Sequence, residues 1–490
     1  MKDKWATRMA GLFSILLAGL LLSYGIAVHD AEGLAQTLGR PASGSVLAHQ
    51  GAIYYVATTG DDDNPGTIDL PWQTVQKAAN ILVAGDTVYI RAGTYPEQVI
   101  PQNSGSAGQH ITYAAYPGET ATLDGSGIIL PDDLVGLFHI AGKVYICVSG
   151  LRIANAGPHD NNTGILVLAS SHVVVENNAT YNTNSSGIGV WGSEDVTVTG
   201  NRVEEACGGG WQECISVDGT DTFVVRYNEV LDCHKEGICT KNGSSNGQVY
   251  SNRVHQTERV GIYVDAFEQH TYNIDVYSNV VHDIQDNNGF AVGSEQGGLL
   301  ENVRVYNNIA YHNRYVGLSL HDCCPGPATH PVRNVTVINN TFYDNGWTGW
   351  GGGIAVDNPD IENVVVRNNI VSQNLYFQLV VAPGVPAQNI TVDHNLIDGF
   401  RGTEGEIYGD DYVEGNPLFL DPAGADVHLQ RDSPAIDRGS AVDAPADDLD
   451  GRPRPWDGDG DGTAGFDIGA YEAGAQMRYA AYLPLVIRSR

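Results

Sequence analysis

Ionisable side chains recur at one position of a short repeated motif, in which a glycine is followed by alternating apolar residues. Three positions beyond the first apolar residue of successive motifs stand Asp218, Lys241 and Asp265, and further along the chain His321 and Asp357. A lysine beside carboxylates supplies groups for proton transfer and for stabilising a developing charge. The pattern predicts an acid–base site, provided that the fold brings successive motifs side by side.

Two reactions fit these residue types. β-Elimination from a uronate needs a base for the ring proton beside the carboxylate, and a cation for the charge that develops on that carboxylate. Lys241 is the candidate base, and Arg259 is a second cation or acid. Inverting hydrolysis is the alternative, because Asp218 and Asp265 would lie two strand spacings or about 9.6 Å apart, near the upper end of the range of about 6.5–9.5 Å for such carboxylates.

A purely structural role for this row is also open. Asp218, Lys241 and Asp265 alternate in sign, so they could form a salt-bridged ladder between neighbouring strands.

Neighbouring positions would widen the site into a groove for a sugar chain. Trp191 and Tyr263 are expected to stack on sugar rings, because they stand beside the charged positions. His321, Glu295 and Asp357 extend the same face and are expected to bind substrate.

Carboxylates near Lys241 could also hold a metal ion. Glu213 and Glu236 each stand two positions before the first apolar residue of a motif. With Asp218 and Asp265 they offer the oxygen ligands that Ca²⁺ prefers, so the sequence predicts a calcium site there.

A second calcium site is predicted in the acidic stretch DGDGDG. Asp457, Asp459 and Asp461 alternate with glycines, as in the first half of an EF-hand type loop, and Asp467 follows near the end of such a loop. We expect this site to be structural and remote from the groove.

Two repeated frames indicate how these residues are positioned. One frame reads VxVxxN and recurs every 23 to 32 residues, and the other, GIxVx, recurs between its copies. Each alternates with the period of a strand and no long helical pattern interrupts them, which is typical of a parallel β-solenoid. The asparagine that ends the first frame predicts an internal amide ladder at a turn: Asn178, Asn201, Asn228, Asn252, Asn279, Asn308, Asn340, Asn369 and Asn395.

Residues 72–82 have apolar side chains at helical spacing, which predicts a short helix that caps the first coil. Cys207 and Cys233 follow consecutive ladder asparagines, so they should be near neighbours in adjacent coils, where a disulfide is geometrically allowed.

The ends of the chain differ from this core. Basic residues and then an apolar run predict a signal peptide at residues 1–27, with an uncleaved anchor as the alternative. The protein is therefore expected to be secreted or attached to the cell surface. The net charge of −32 makes nucleic acid an improbable partner. We divide the remainder into a solenoid at 50–400, an acidic module at 410–475 and a tail at 476–490, and expect a monomer.

Three segments resemble a known superfamily. Residues 54–95 look like the entry segment of secreted bacterial right-handed parallel β-helix proteins, and the repeats up to about 400 look like the same superfamily, which includes polysaccharide lyases and some glycoside hydrolases. Residues 433–472 resemble the choice-of-anchor module that many of them carry. KEGICTKNGSS, residues 235–245, resembles chondroitinase-B-like and alginate lyases, in which an acidic calcium ligand precedes the basic lysine by five positions. Glu236 and Lys241 match that spacing.

The resemblance implies an all-β, right-handed parallel β-helix with a short capping helix and a small C-terminal module. It implies a secreted enzyme that acts on an extracellular polysaccharide, with Ca²⁺ as its cofactor. We favour a lyase that cleaves uronate-containing glycans by β-elimination. An inverting glycoside hydrolase and a non-catalytic glycan-binding or adhesive protein remain the alternatives.

Overall fold

The computed structural model describes residues 51–322, 329–347 and 349–474. The predicted signal peptide and the tail at 476–490 lie outside the described residues. Within these ranges, no helix is long and apolar enough to span a membrane.

The predicted parallel β-helix is confirmed. Its strands form three long parallel sheets, which are called sheets A, B and C here, and each coil contributes one strand to each sheet along most of the solenoid. The repeat pattern predicts only two strands per coil. The strands of sheet B are mostly three residues long, too short to show a period of two.

Sheet A has 13 strands: β1 (Ile53–Val56), β2 (Thr87–Ile90), β4 (Ile111–Ala115), β7 (Val144–Ser149), β10 (Ser171–Glu176), β13 (Glu194–Thr199), β16 (Asp221–Arg226), β19 (Ser245–Tyr250), β22 (Thr271–Tyr277), β25 (Leu300–Tyr306), β28 (Val332–Ile338), β31 (Ile361–Arg367) and β34 (Ile390–Asp393).

Sheet B also has 13 strands: β3 (Gly93–Tyr95), β5 (Ala121–Asp124), β8 (Arg152–Ala154), β11 (Ala179–Tyr181), β14 (Arg202–Glu204), β17 (Glu229–Leu231), β20 (Arg253–His255), β23 (Val280–His282), β26 (Ile309–Tyr311), β29 (Thr341–Tyr343), β32 (Ile370–Ser372), β35 (Leu396–Asp398) and β36 (Val413–Glu414).

Sheet C has 10 strands: β6 (Val135–Ala141), β9 (Asn162–Leu168), β12 (Ile188–Trp191), β15 (Ile215–Asp218), β18 (Ile238–Lys241), β21 (Ile262–Asp265), β24 (Phe290–Gly293), β27 (Val316–His321), β30 (Gly352–Val356) and β33 (Phe377–Val381). Beyond these sheets, β37 (Phe419–Asp421) pairs antiparallel with β38 (Asp426–Leu429).

The predicted asparagine ladder is confirmed. Each ladder asparagine is buried, and from Asn178 to Asn369 the side-chain amide donates to the side-chain oxygen of the next asparagine along the solenoid axis. Between Asn252 and Asn279 this bond is 3.0 Å, and the same oxygen also accepts the backbone N–H of Asn252 at 3.0 Å. The ladder therefore supplies partners for buried polar groups at every turn and holds the coils in register.

The predicted helix is present as α1 (Val75–Ile81) in the first coil. The Thr74 hydroxyl caps it by accepting from the Lys77 N–H at 3.1 Å. The Glu97 carboxylate accepts the N–H groups of Val75 and Gln76, both at 2.8 Å. The buried face of α1, which includes Val75, Ala78 and Ala79, joins the main apolar core of the solenoid.

The C-terminal segment, residues 419–474, packs on the outer surface of sheet B. Its apolar side chains pack against a stripe contributed by the last coils: Ile309, Tyr343, Ile370 and Leu396 from the solenoid, with Phe419, Val427, Leu429, Ile436, Ile468 and Tyr471 from the segment. A fully buried ion pair joins Arg454 to Glu472. Arg454 also donates to the Asn307 side chain at 3.3 Å, which ties the segment to the solenoid.

Candidate functional site

Sheet C brings the predicted row of ionisable residues into one line. Its parallel register pairs the last residues of successive strands: Leu168, Trp191, Asp218, Lys241, Asp265, Gly293 and His321. Side chains alternate between the two faces of a strand, and the flanking apolar positions point into the core, so this row faces outward.

Lys241 does not stand free in this row. Its ammonium Nζ lies 2.7 Å from Glu213 Oε1 and donates to Gln212 Oε1 at 3.2 Å. The other oxygen of Glu213 accepts from the Ser216 hydroxyl at 2.7 Å. The side chains of Lys241 and Glu213 are only 15% and 12% exposed, so the ion pair is largely shielded from water.

The ion pair sets the protonation state of both partners. Burial by itself would lower the pKa of Lys241, but the adjacent Glu213 carboxylate outweighs burial and holds that pKa above its ordinary value. Burial by itself would raise the pKa of Glu213, and the Lys241 ammonium holds it below its ordinary value. Lys241 is therefore cationic at neutral pH while Glu213 is ionised beside it, which suits charge stabilisation better than proton abstraction.

Two further carboxyl groups flank this pair. Burial, and then repulsion from Glu213, raises the pKa of Glu236. Burial also raises the pKa of Asp218, whose Oδ1 accepts from the Asn242 amide at 3.1 Å. In the described part of the chain, these acids do not form a group of three whose oxygens all lie within 4.8 Å of one another. The predicted calcium ligands are therefore neighbours without forming a closed site.

Asp265 is almost completely buried, with 2% exposure. Its Oδ1 accepts the backbone N–H of Phe267 at 2.8 Å and of Glu295 at 3.1 Å. Burial, and then repulsion from the Glu295 carboxylate, raises the pKa of Asp265 to about 7. Such a carboxyl group can carry a proton near neutral pH, and the turn that it caps fixes its position.

A polar trio extends across three coils beside Asp265. The Tyr263 hydroxyl donates to Glu295 Oε1 at 3.2 Å and lies 3.4 Å from His321 Nε2. Burial lowers the pKa of His321 to about 4, so its imidazole is neutral at physiological pH. Between them, Gly293 leaves the space that the trio needs, because a Cβ there would lie 3.3 Å from both the hydroxyl and the imidazole nitrogen.

The expected stacking role of Tyr263 is not supported. Its side chain is 5% exposed, and it packs against Cys239, Val260 and Ala291 in a small cluster on the outer surface of sheet C. Burial of the ring leaves its hydroxyl, rather than a ring face, as the group that serves the site.

Three other predicted site residues lie outside both the Lys241–Glu213 ion pair and the trio of Tyr263, Glu295 and His321. Arg259 is exposed in the loop before β21, where its positive charge acts on Glu236. Trp191 is half-buried at the end of β12. Asp357 follows β30, and burial, then repulsion from Asp322, raises its pKa to about 6.

An aromatic rim that sequence reasoning missed borders the same sheet. The loops that precede the strands of sheet C carry Trp211, Trp347, Trp350 and Tyr376, which are between 47% and 54% exposed. The Arg314 guanidinium lies 5.6 Å from the Trp347 ring centroid. The sequence does contain an indication of this rim: the glycine-rich stretch GWTGWGGG carries two tryptophans that do not fit the alternating pattern of an apolar strand.

The structure changes the predicted ligand set in the acidic loop. The carboxylates that lie within 4.8 Å of one another are those of Asp437, Asp459 and Asp461. Asp457 instead accepts from the N–H groups of Gly460 and Gly462. Asp467 is fully buried, and its two carboxylate oxygens accept the N–H of Asp437 at 2.8 Å and of Ala473 at 2.6 Å.

Two known proteins are similar to this chain in sequence. A protein of Bacillus subtilis strain 168, YwoF, whose function is uncharacterised, is 27% identical over 484 residues, covering 86% of this chain and 98% of the relative. Pectate lyase PEL9 of Emericella nidulans is 32% identical over 158 residues; the match covers 30% of this chain and spans only 37% of the relative.

Solved structures agree with the fold. Pectate lyase Pel9A has a TM-score of 0.52 at 18% identity, over 86% of this chain and 96% of the other. The polygalacturonase of Erwinia carotovora has a TM-score of 0.51 at 12% identity, over 73% of this chain and 99% of the other.

Two family models match the chain directly. The model described as Pel9A-like, right handed beta helix region, matches residues 54–207. The model described as right handed beta helix region matches residues 139–325 and 284–417, which together make up more than half of the chain. The chain therefore belongs to the right-handed β-helix family.

Proposed function

We propose that this protein binds an extended, uronate-containing polysaccharide along the outer surface of sheet C and cleaves it by β-elimination. One observation carries the proposal: Lys241 lies in line with Asp218 and Asp265 on the outward row of that sheet, where it pairs with Glu213 from the preceding loop. The match to the Pel9A-like model and the similarity to a pectate lyase support a pectate-like substrate.

The charge arrangement supports recognition of an acidic sugar. Lys241 is a cation in a shielded position, where a charge interacts more strongly than in bulk water. Arg259 and Lys235 place two further cations on the neighbouring loops of a chain whose net charge is −32. These three cations are groups at these coils that would attract a uronate carboxylate.

Proton abstraction requires that Lys241 lose its proton. Neutralising Glu213 would leave burial as the main influence on Lys241, and burial lowers a lysine pKa toward the range of a useful base. Glu213 and Glu236 repel each other and offer carboxylate oxygens, so they fit a Ca²⁺ ion as ligands. When bound, Ca²⁺ would supply positive charge that neutralises these carboxylates and polarises the carboxylate of the substrate.

The aromatic rim supports the binding of a long chain. Trp347 and Trp350 present exposed rings before β30, three coils beyond Tyr263 and two beyond Glu295. Exposed aromatic rings with an apolar face and a polar edge are suited to contacts with sugar rings.

We propose that export by the signal peptide at 1–27 delivers the protein to such a polysaccharide outside the cell.

Hydrolysis is the second candidate, and the raised pKa of Asp265 favours it. A carboxyl group with a pKa of about 7 can donate a proton to a leaving oxygen, and Asp218 lies two strands away with a carboxylate for the base role. The near-complete burial of Asp265 favours the lyase over this alternative.

A polysaccharide panel read for product type tests the proposal. Polygalacturonate, alginate, chondroitin and a neutral xylan are incubated with the full chain, with Ca²⁺ or with a chelator. The expected result is ultraviolet-absorbing unsaturated ends on a uronate polymer, lost on chelation. New reducing ends without that absorbance would select hydrolysis, and retention without products would select a binding protein.

Substitution then tests the base. Lys241→Ala should lower the rate by about 10²–10⁴-fold, the usual contribution of a positioned acid or base. Lys143→Ala is the matched control and should leave the rate within about threefold, because this lysine lies before β7, four coils from Lys241, and donates to the Gln102 carbonyl instead. Full lyase activity in Lys241→Ala would reject the assignment.

A further inference from the structure

Three cysteines meet directly behind the loop that carries Glu213. The Sγ atoms of Cys207 and Cys214 are 3.8 Å apart, and the Cys214 thiol also contacts that of Cys233. All three side chains are at most 1% exposed. The sequence spacing allows a bond between Cys207 and Cys233, and it does not show that Cys214 also lies near Cys207. The structure brings Cys214 there because residues 208–213 fold back on themselves.

Cys207 and Cys214 mark the two ends of the loop at residues 208–213. The Cys207 N–H donates to the Ser185 carbonyl at 2.9 Å, and the Cys214 N–H donates to the Glu236 carbonyl at 2.9 Å. The two ends are therefore held by different neighbouring coils, one on each side. The stretch between them contributes Gln212 and Glu213, both of which accept from the Lys241 ammonium.

We propose that Cys207 and Cys214 form a disulfide that closes this loop and holds Glu213 in place beside Lys241. The sulfur atoms must approach from 3.8 Å to about 2.05 Å, the length of a disulfide bond. The run Gly208–Gly209–Gly210 within the loop gives the backbone the freedom for this adjustment.

The reaction is a two-electron oxidation by a small-molecule disulfide such as oxidised glutathione. The thiolate of one cysteine attacks the glutathione disulfide and releases one glutathione thiolate, and the second cysteine then displaces the other. One S–S bond forms in the protein, one is broken in the oxidant, and the two thiol protons leave with the two glutathione molecules. Both cysteines are fully buried, so the exchange proceeds while the loop is open.

Pairing of Cys207 with Cys214 is favoured over pairing with Cys233. The first two lie only seven residues apart in one loop, so adjusting that loop alone brings the sulfur atoms together. Cys233 belongs to the next coil, where it follows β17. The bond between Cys207 and Cys214 does not depend on the proposed activity, but its effect on Lys241 during catalysis does.

Mass spectrometry of the full chain tests the bond. After equilibration with reduced and oxidised glutathione, the protein is denatured in N-ethylmaleimide and digested with trypsin without reduction. Both cysteines lie in the tryptic peptide 203–226, while Cys233 lies in 227–235 and Cys239 in 236–241. The expected result is a peptide 203–226 that is two hydrogens lighter and unlabelled, with one maleimide on each of the other two peptides.

Two outcomes would overturn the proposal: two maleimides on peptide 203–226, or a cross-link between it and peptide 227–235. Cys233→Ser is the matched control, and it must leave peptide 203–226 unlabelled. As a readout independent of activity, amide exchange in residues 208–213 should slow on oxidation by on the order of tenfold or more. Unchanged exchange in that loop would show that the bond does not hold Glu213, whatever the protein does to a polysaccharide.

Discussion

Replacing Glu213 by glutamine tests the electrostatics of the site most directly. The substitution keeps the size of the side chain and the hydrogen bond acceptor for Ser216, but removes the charge that Lys241 faces at 2.7 Å. At an effective dielectric constant of about 20, two unit charges at this distance attract by about 6 kcal/mol. Gln212 remains as a neutral acceptor for Lys241, so the loss should be smaller than this figure.

The measured loss should lie near about 3–5 kcal/mol at pH 7, the usual cost of leaving one member of a buried ion pair without its partner. The same loss of attraction lowers the pKa of Lys241. Without Glu213, burial dominates and brings this pKa below the ordinary lysine value.

The pH dependence has a defined sign. In the parent protein the folded-state pKa of Lys241 is above its unfolded value, so its stabilisation is complete below about pH 10.4 and is lost only as pH rises through the folded-state pKa. In Glu213→Gln the folded-state pKa falls below the unfolded value. The penalty is then full below the folded-state pKa and diminishes as pH rises toward about 10.4.

Urea unfolding at pH 6, 8 and 10 provides the measurement. The deficit of Glu213→Gln relative to the parent should shrink as pH rises, and the double variant Glu213→Gln/Lys241→Met should recover most of it. Glu258→Gln is the matched control, because Glu258 pairs with His234 at an exposed position, and its effect should be below about 1 kcal/mol. A deficit below about 1 kcal/mol in Glu213→Gln, or one that does not change with pH, would refute this reasoning.

Other predictions concern the scaffold and the second buried acid. Asn279→Ala should destabilise the fold by about 2–4 kcal/mol in urea unfolding, because it leaves buried ladder groups without partners. Arg454→Met should cost about 3–5 kcal/mol, because Glu472 then keeps a buried charge without its partner. The raised pKa of Asp265 predicts that its contribution to stability is complete below about pH 4 and is lost, by up to about 4 kcal/mol, as pH rises through about 7. Asp265→Asn should flatten that part of the pH–stability curve.

Each of these predictions has a control variant or an outcome that would contradict it. Asn302→Gly, in the exposed row of asparagines on sheet A, should change stability by less than about 0.5 kcal/mol, because glycine adopts the positive φ of this position without strain. An effect equal to that of Asn279→Ala would argue against the ladder as the cause. For Arg454→Met, adding Glu472→Leu should restore most of the loss. An Asp265→Asn variant with the same slope between pH 4 and pH 7 as the parent would show that another group titrates there.

The row of candidate residues was predictable from the sequence, because stacked coils convert a repeat into a column. Once the apolar positions of the motif were aligned, Asp218, Lys241, Asp265 and His321 had to fall in one line, and sheet C has that register. The asparagine ladder followed for the same reason. The third strand of each coil could not be predicted from the sequence, because three residues carry too little alternation to reveal a strand.

The states and partners of these residues depend on contacts that no period encodes. The loop at 208–213 folds back so that Glu213 reaches Lys241, and burial beside Glu295 raises the pKa of Asp265. Likewise, a turn brings Asp437 to Asp459 and takes Asp467 into the core. Local alternation and repetition along the chain therefore establish which residues share a face. Which of these residues are charged, buried or paired depends on the folded arrangement, because desolvation and ion pairing arise between loops that are distant in the chain.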